Sequence, residues 1–581
     1  MKTRTSLAIN KHQSQKESLV EKIWIKHYPD GVPDEINPDV YPSLVELLEF
    51  CFKEYGHKPA YQNMKTSLSF KEVDERSKHF ASYLQNDLGL QQGDRVALMM
   101  PNVLQYPIAL FGILRAGMVA VNTNPLYTAE EVIHQLNDSG AKAIVVLANF
   151  AHTIQQAQPQ LQTIQKVITT ELGDMFPWFK RTLVNLVVKY IKKMVPSYHL
   201  NHEITFRETL KLGAGLSYSR PTLDGQDIAF LQYTGGTTGV AKGAVLTHRN
   251  MVANVEQASH WIAPAFEVGS KQLIVTALPL YHIFSLTANC LTFLKYGARN
   301  MLITNPRDIG GFIKEIKSSQ FTAITGVNTL FNALLNHPEF KNVDFSKLHY
   351  TLSGGMSLQE SVANRWQAVT KRPILEAYGL TETSPAVTMN PHYVEDYNGS
   401  IGLPVPSTEV SIWDDAGQPV PIGEAGELCV RGPQVMRGYW QRPIETANVL
   451  DEDGWLKTGD VAKLDDKGFV YIVDRKKDMI IVSGFNVYPN EIEAVISELE
   501  GVNEVGVVGI PHAESGERVK ACIVKSDPAL TEEQIIAHCR QHLTGYKIPK
   551  LIEFVEELPK TNVGKILRRA LRDKQVLKET A

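Results

Sequence analysis

Arg95-Val-Ala-Leu-Met-Met-Pro-Asn-Val-Leu-Gln-Tyr-Pro-Ile-Ala-Leu-Phe-Gly-Ile-Leu-Arg115 decides how this chain folds, because its interior from Val96 to Leu114 carries no charge over almost the length of a membrane span. Pro101, Asn102 and Pro107 break the run. It therefore reads as a buried strand from Arg95 to Met100, a Pro-Asn turn, and a packed helix ending near Arg115. Outward from it, between Leu68 and Leu147, strands continue to alternate with helices, and capping boxes at Ser69-Phe-Lys-Glu72 and Thr128-Ala-Glu-Glu131 open two of them. Such alternation predicts a largely parallel sheet with helices on both faces.

The same texture resumes after Gln226 and runs to about Glu376, with apolar strands such as Ile274-Val-Thr-Ala-Leu278 and Phe321-Thr-Ala-Ile324. From Gly402 to Val473 it gives way to short strands and Gly/Pro turns, as in a small β-barrel. Past the charged tetrapeptide Asp474-Arg-Lys-Lys477 comes a compact α+β unit. It holds a helix from about Asn490, the run Val505-Gly-Val-Val-Gly-Ile510, a strand over Ala521 to Val524, and a helix opened by Thr531-Glu-Glu-Gln534. The expectation is an α/β protein whose large N-terminal domain of doubly wound sheets carries a small β-barrel, followed by a small C-terminal domain.

Bulk properties set limits on function. The 581 residues exceed a single domain several times over, and 43% hydrophobic with 21% charged residues exclude disordered, fibrous and membrane-spanning classes. A net charge of -4 leaves no basic excess for a nucleic-acid backbone. Cys51, Cys290, Cys429, Cys522 and Cys539 show neither zinc-ligand spacing nor an even framework, which fits buried thiols in a reducing compartment. Met1 to Asn10 lacks the apolar stretch of a signal peptide, so a cytoplasmic protein is expected.

The densest chemical signal is Tyr233-Thr-Gly-Gly-Thr-Thr-Gly-Val-Ala-Lys-Gly243, between two apolar strand-like runs. Glycines permit close approach and the dihedrals of an amide nest, so such a loop can gather backbone N–H groups and Thr hydroxyls on phosphate oxygens. It is not a Walker A loop, since Ala241 precedes and Gly243 follows Lys242.

This loop resembles the phosphate-binding motif of the adenylate-forming superfamily, and the superfamily's other motifs follow in order. They are Pro279-Leu-Tyr-His-Ile-Phe284, Ser353-Gly-Gly-Met356, Ala377-Tyr-Gly-Leu-Thr-Glu382, Gly454-Trp-Leu-Lys-Thr-Gly-Asp460, Tyr471-Ile-Val-Asp-Arg475, Ser483-Gly-Phe-Asn486 and Asn562-Val-Gly-Lys565. Singly each is weak; their ordered co-occurrence from about Tyr41 onward carries the inference. Asp453 to Lys477, with Ser483 to Asn490 and Leu543 to Pro549, is most similar to acyl-CoA synthetases of the bacterial long-chain fatty-acid type. Ala241 and Ala377 depart from the superfamily's usual proline and glycine, and both remain small.

The resemblance implies ATP-dependent activation of a fatty carboxylate to acyl-AMP, with release of pyrophosphate, then transfer to coenzyme A. It implies that Thr234, Gly235, Gly236, Thr237, Thr238, Gly239 and Lys242 hold the departing phosphates, that Thr381 touches the α-phosphate and that Glu382 ligates Mg2+. Tyr378 would stack on adenine beside Gly354, Gly355 and Gly379, Asp460 and Arg475 would bind the ribose, His282 would lie near the substrate carboxylate, and Lys565 would reach between carboxylate and α-phosphate. Ser483, Gly484 and Phe485 match the strand lining the pantetheine path, and Lys477 the hinge of a mobile C-terminal domain. The implied division is an extension at 1–40, an adenylation domain at 41–475 and the mobile domain at 476–581. Acyl chain length would depend on packing around residues such as Gly326, Val327 and Asn328.

Alternatives in the same superfamily are a fatty acyl-AMP ligase, a medium-chain or aryl-CoA ligase, or a carrier-loading adenylation domain. Lys477 runs directly into Asp478-Met-Ile-Ile-Val-Ser483, without the insertion that marks acyl-AMP ligases. A non-catalytic fatty-acid binding protein on this fold would be expected to have lost Glu382 or Lys565. Between Phe176 and Pro196, Leu183, Leu186, Val187, Tyr190, Ile191 and Met194 share one helical face, with Asn185, Lys189, Lys192 and Lys193 opposite and Lys180 and Arg181 at the start. This is the composition of an interfacial helix or of a packed helix with a solvated basic face. A peripheral position on the inner membrane surface and a homodimer are the partner expectations beyond fatty acid, ATP and CoA, with no nucleic acid.

Overall fold

In the computed structural model the described residues are 22–234, 241–266, 271–512, 515–561 and 564–572. The opening stretch folds as its breaks dictate, with a strand over Arg95–Met99 and a fully buried helix over Gln105–Arg115. That strand is central in a seven-stranded sheet ordered Glu203–Thr205, Lys166–Thr170, Ala143–Leu147, Arg95–Met99, Val119–Asn122, Ile228–Thr234, Lys242–Thr247. Its pairings are parallel except the last, where Ile228–Thr234 turns back on Lys242–Thr247. Both capping boxes form, Ser69 with Glu72 and Thr128 with Glu131.

A second, nine-stranded sheet runs Leu403–Pro404, Ala386–Met389, Leu375–Gly379, Tyr350–Gly354, Ala323–Gly326, Leu273–Thr276, Arg299–Leu302, Pro59–Asn63, Thr66–Ser69. Its interior pairings are parallel and its margins antiparallel. One hydrophobic cluster holds side chains of both sheets together, from Val96 and Phe230 to Ile274 and Leu352. The doubly wound reading stands, and the five cysteines are all buried free thiols.

The expected barrel is corrected. Glu409–Trp413, Gly426–Arg431, Leu456–Leu464 and Val470–Arg475 form an open antiparallel meander in that order. Four strands are too few to enclose a barrel interior, and one face of this sheet instead feeds Val410, Leu428 and Val430 into the large core. Residues 22–40 pack between this sheet and the large core: Lys22 lies 3.6 Å from Glu409, Ile36 N–H donates to Ser407 Oγ at 2.9 Å, and Tyr28 packs edge-on against Trp261 of helix His248–Ile262 at 5.1 Å.

Past Lys477, the strands Ile480–Val482, Phe485–Val487, Val502–His512, Gly516–Lys525 and Leu551–Phe554 form a separate five-stranded sheet. Helices Pro489–Ser497 and Glu532–His542 accompany it. Its hydrophobic clusters draw on residues from 480 to 571. Among the described residues no helix is long and apolar enough to cross a membrane.

Candidate active site

A cavity of about 1070 Å³ opens where the carboxyl ends of strands from both large sheets face the C-terminal unit. Its wall includes Thr234, Lys242, His282, Gly354, Gly355, Tyr378, Gly379, Thr381, Glu382, Asp460, Arg475, Lys477 and Lys565. Residues more than 300 positions apart in sequence therefore meet in one space. Gly235, Gly236, Thr237, Thr238 and Gly239 lie outside the described residues, but the ends of their loop are pinned. Thr234 closes one strand and pairs directly with Lys242, which opens the next.

Asp460 and Arg475 sit opposite each other on adjacent antiparallel strands. Arg475 Nε lies 3.2 Å from Asp460 Oδ1, and the Tyr378 hydroxyl donates to Asp460 Oδ2 at 2.6 Å. Burial, then the neighbouring carboxylate, holds the Tyr378 phenol well above its ordinary range, so it stays protonated and a donor. Glu382, in the turn Thr381–Thr383, accepts the Tyr439 hydroxyl at Oε1 over 2.7 Å. Its backbone carbonyl is fixed by Met436 N–H at 2.8 Å. The Lys242 ammonium lies 5.0 Å from the centre of the Tyr439 ring. Sequence reading missed Tyr439: it stands 57 residues from the carboxylate it orients, and no spacing signals such a partner.

His282 caps the short turn after it, its Nδ1 accepting Phe284 N–H at 3.3 Å. Burial, reinforced by the Lys565 charge, pushes the imidazole down to about 3. The ring is thus neutral, and with Nδ1 accepting, its proton is on Nε2 as a donor. Lys565 is half-buried, its Cε 3.6 Å from where a Cβ on Gly355 would stand. Burial, then Arg475, lowers its ammonium to about 8.

Two glycines answer close approaches. A Cβ on Gly354 would meet Ala377 O at 2.9 Å, and one on Gly379 would meet Pro385 O at 1.9 Å. Gly326, Val327 and Asn328 do not line the cavity. The apolar part of its lining includes Ala258 of helix His248–Ile262, Ala288, Leu352 and Met389.

Ser483, Gly484 and Phe485 do not line the cavity, and of the three only Phe485 lies in a strand, Phe485–Val487. Ser483 and Gly484 form the turn of a tight hairpin with φ of 51° and 84°, and Phe485 stacks on Tyr546 at 4.8 Å. Glycine at 484 answers the positive φ, since a Cβ there would touch nothing within 4 Å.

Residues 48–440 match the family model of the AMP-binding enzyme, and residues 491–565 that of the AMP-binding enzyme C-terminal domain. The chain is 59% identical to the long-chain-fatty-acid–CoA ligase of Salmonella typhimurium, over 95% of this chain and 98% of the relative. It is 38% identical to the ligase of that name from Bacillus subtilis, over 96% and 98%. The crystal structure of ATP-bound MatB from Rhodopseudomonas palustris superposes with a TM-score of 0.77 at 28% identity, covering 91% of this chain and 98% of that one. With its motifs gathered on one cavity and both parts of the fold matched, the chain belongs to the AMP-binding enzymes of the adenylate-forming superfamily.

Proposed function

We propose that this protein is a long-chain fatty acid–CoA ligase that forms acyl-AMP and pyrophosphate from fatty acid and ATP, then transfers the acyl group to CoA. The observation that carries it is Lys565, delivered by the C-terminal unit to a cavity that also holds Glu382, Asp460, Arg475 and His282. A carboxylate with pKa ~4.5 is already ionised at pH 7, so attack on the α-phosphate needs positioning and charge neutralisation rather than a base. Lys565 supplies the charge between carboxylate and α-phosphate, neutral His282 donates from Nε2, and Asp460 with Arg475 holds the ribose while Tyr378 faces adenine. Thr234, Lys242 and the loop between them hold the leaving pyrophosphate.

Glu382 suits Mg2+, which takes one or two protein carboxylates and completes its shell with phosphate oxygens and water. Tyr439 occupies Oε1 and leaves Oε2 to a metal. Bound there, Mg2+ would neutralise phosphate charge. The unit after the pivot at Lys477 then turns to bring the Ser483–Phe485 hairpin to the cavity for the thiol step.

The reading is tested by ATP-dependent thioester formation, followed by mass spectrometry, across acids from acetate to oleate with cinnamate. Palmitate and oleate are expected to lead in kcat/KM, and a higher value for acetate or cinnamate would overturn the chain-length assignment.

Protonation gives a second test. The lysine works charged and its pKa is lowered to about 8, so its contribution is full below that pH and lost above it. The kcat/KM for ATP in pyrophosphate exchange, which reports the free enzyme, should fall as pH rises through about 8. Thioester formation from supplied acyl-AMP should rise over the same range as the CoA thiol, pKa ~8.5, ionises. An exchange profile flat to pH ~9.5 would detach Lys565 from the first step.

A peripheral membrane position belongs to the same proposal. The helix Trp178–Leu186 and the turn Val187–Ile191 present their apolar side outward, with Trp178 71% and Ile191 73% exposed. Polar residues face inward: Lys180 reaches Thr66 Oγ1 at 2.9 Å, and Asn185 accepts Gly173 N–H and donates to Glu171, each at 2.8 Å. Lys180 and Asn185 are thus packed, while exposed Lys189, Lys192 and Lys193 flank the apolar side. An apolar stripe rimmed by cations fits an anionic bilayer, with each cation adding ~1 kcal/mol. Trp178→Ser with Ile191→Ser should abolish sedimentation with phosphatidylglycerol vesicles, and Lys189, Lys192 and Lys193→Glu should weaken it. Sedimentation unchanged in both variants would dismiss the interface.

A further inference from the structure

Asp474 stands three residues before Lys477, at the last strand of the large unit, with a fully buried carboxylate. Its Oδ1 accepts Arg475 N–H at 2.7 Å and its Oδ2 accepts Asn490 N–H at 2.8 Å. Asn490 lies in the first turn of helix Pro489–Ser497, where N–H groups have no partner within the helix. No side chain at the helix's own N-cap satisfies them. The cap is therefore supplied from the opposite side of the pivot, by a carboxylate where a helix favours negative charge.

The same carboxylate meets the segment that carries the cavity lysine. Arg568, three residues after Lys565, lies 3.6 Å from Asp474 Oδ1 and donates to Asn490 Oδ1 at 2.5 Å. It also pairs with Glu493 at 2.8 Å and Asp478 at 3.4 Å. Burial pushes the Asp474 carboxyl up and Arg568 opposes the shift, as expected of a pair withdrawn from water together. By contrast, the contacts of Asn503 with Asn332 and Asn336, at 3.3 and 3.2 Å, and of Thr329 with Gly564 at 3.4 Å, are neutral.

We propose that Asp474 is a positioning residue, a latch that holds the C-terminal unit in the orientation placing Lys565 in the cavity and opens when that unit turns for the thiol step. This inference rests on the two-step ligase reading. The asymmetry of the cluster makes opening feasible. Glu493 and Asp478 lie beyond the pivot and turn with Arg568, so the cation keeps two carboxylates in either orientation. Only Asp474 changes partners, exchanging Asn490 and Arg568 for water.

Loss of a capping carboxylate with its ion pair should shift the orientation equilibrium about tenfold. In full-length Asp474→Ala, palmitate-dependent pyrophosphate exchange is expected to fall about tenfold, while thioester formation from supplied palmitoyl-AMP and CoA holds or rises. Asp474→Asn keeps an acceptor for Asn490 and should lose less. A purely structural residue would lower both steps in proportion, and that result would overturn the latch. A measurement on the unaltered chain guards against misfolded variants. Hydrogen exchange at the Asn490 amide should be slow with ATP bound, and faster when an acyl-sulfamoyl adenosine and CoA are bound together. Equal protection in the two states would also overturn it. A wild-type chain that formed no thioester would count against the ligase reading instead, leaving the Asn490 measurement as the test of the latch.

Discussion

Replacing Lys565 with alanine is expected to slow adenylate formation by ~10²–10³-fold or more, while thioester formation from supplied acyl-AMP stays near the wild-type rate. The size of the effect follows from where the ammonium sits. It is half-buried beside Gly355 and within reach of the Arg475, Asp460 and Glu382 fields, in a space that water leaves when substrates fill it. A charge held in such a place acts on the transition state with less screening than one in bulk water. The second step begins with the carboxylate already joined to phosphate, so the charge has no approach left to assist. Pyrophosphate exchange and thioester formation, assayed separately, check this. If both fell by the same factor, one fixed arrangement would serve both steps and the pivot at Lys477 would have to be given up.

Gly484→Leu is expected to have the opposite pattern, with adenylate formed at the normal rate and thioester transfer reduced by ~10²-fold, as for reacting groups displaced by about 1 Å. The hairpin turn needs positive φ at residue 484, which costs a side-chain-bearing residue ~1–3 kcal/mol. The turn is open where a Cβ would stand, with no atom within 4 Å of it while Lys565 occupies the cavity. On the proposed two-step reading, the new side chain's bulk matters only when the hairpin faces the pantetheine arm. Thermal melting of the variant separates a folding defect from this effect, and unimpaired transfer to CoA would remove the hairpin from the thiol path.

Features set by local chemistry were legible in the sequence. Ser69 with Glu72, Thr128 with Glu131 and Thr531 with Gln534 close the capping boxes that their spacing announces, and the prolines near Val96 to Leu114 divide strand from helix as read. What depended on distant packing was not legible. Whether four short strands close or stay open is decided by the core beneath Val410 and Leu428, not by their own alternation. That Ala258 of helix His248–Ile262 and Met389 of strand Ala386–Met389 share one cavity wall appears only in the fold. The segment from Trp178 was readable as amphipathic, but which side faces out is fixed by Asn185 meeting Gly173 and Glu171. Tyr439 could be found only once its hydroxyl was seen on Glu382.

The hydrophobic side chains after residue 480 form clusters of their own, while one cluster runs through both large sheets and the meander. Cooperative melting follows shared cores, so the chain should behave as two calorimetric units. The smaller buries less surface in total and unfolds with the smaller enthalpy. A scan of the ligand-free chain is expected to show two heat-absorption peaks, the minor one assignable by its disappearance on truncation at residue 475. An acyl-adenylate mimic that touches both units should draw the two peaks together, since a ligand bridging them adds its binding energy to each. Occupancy of the nucleotide cavity would then be readable as melting cooperativity, without any assay of turnover.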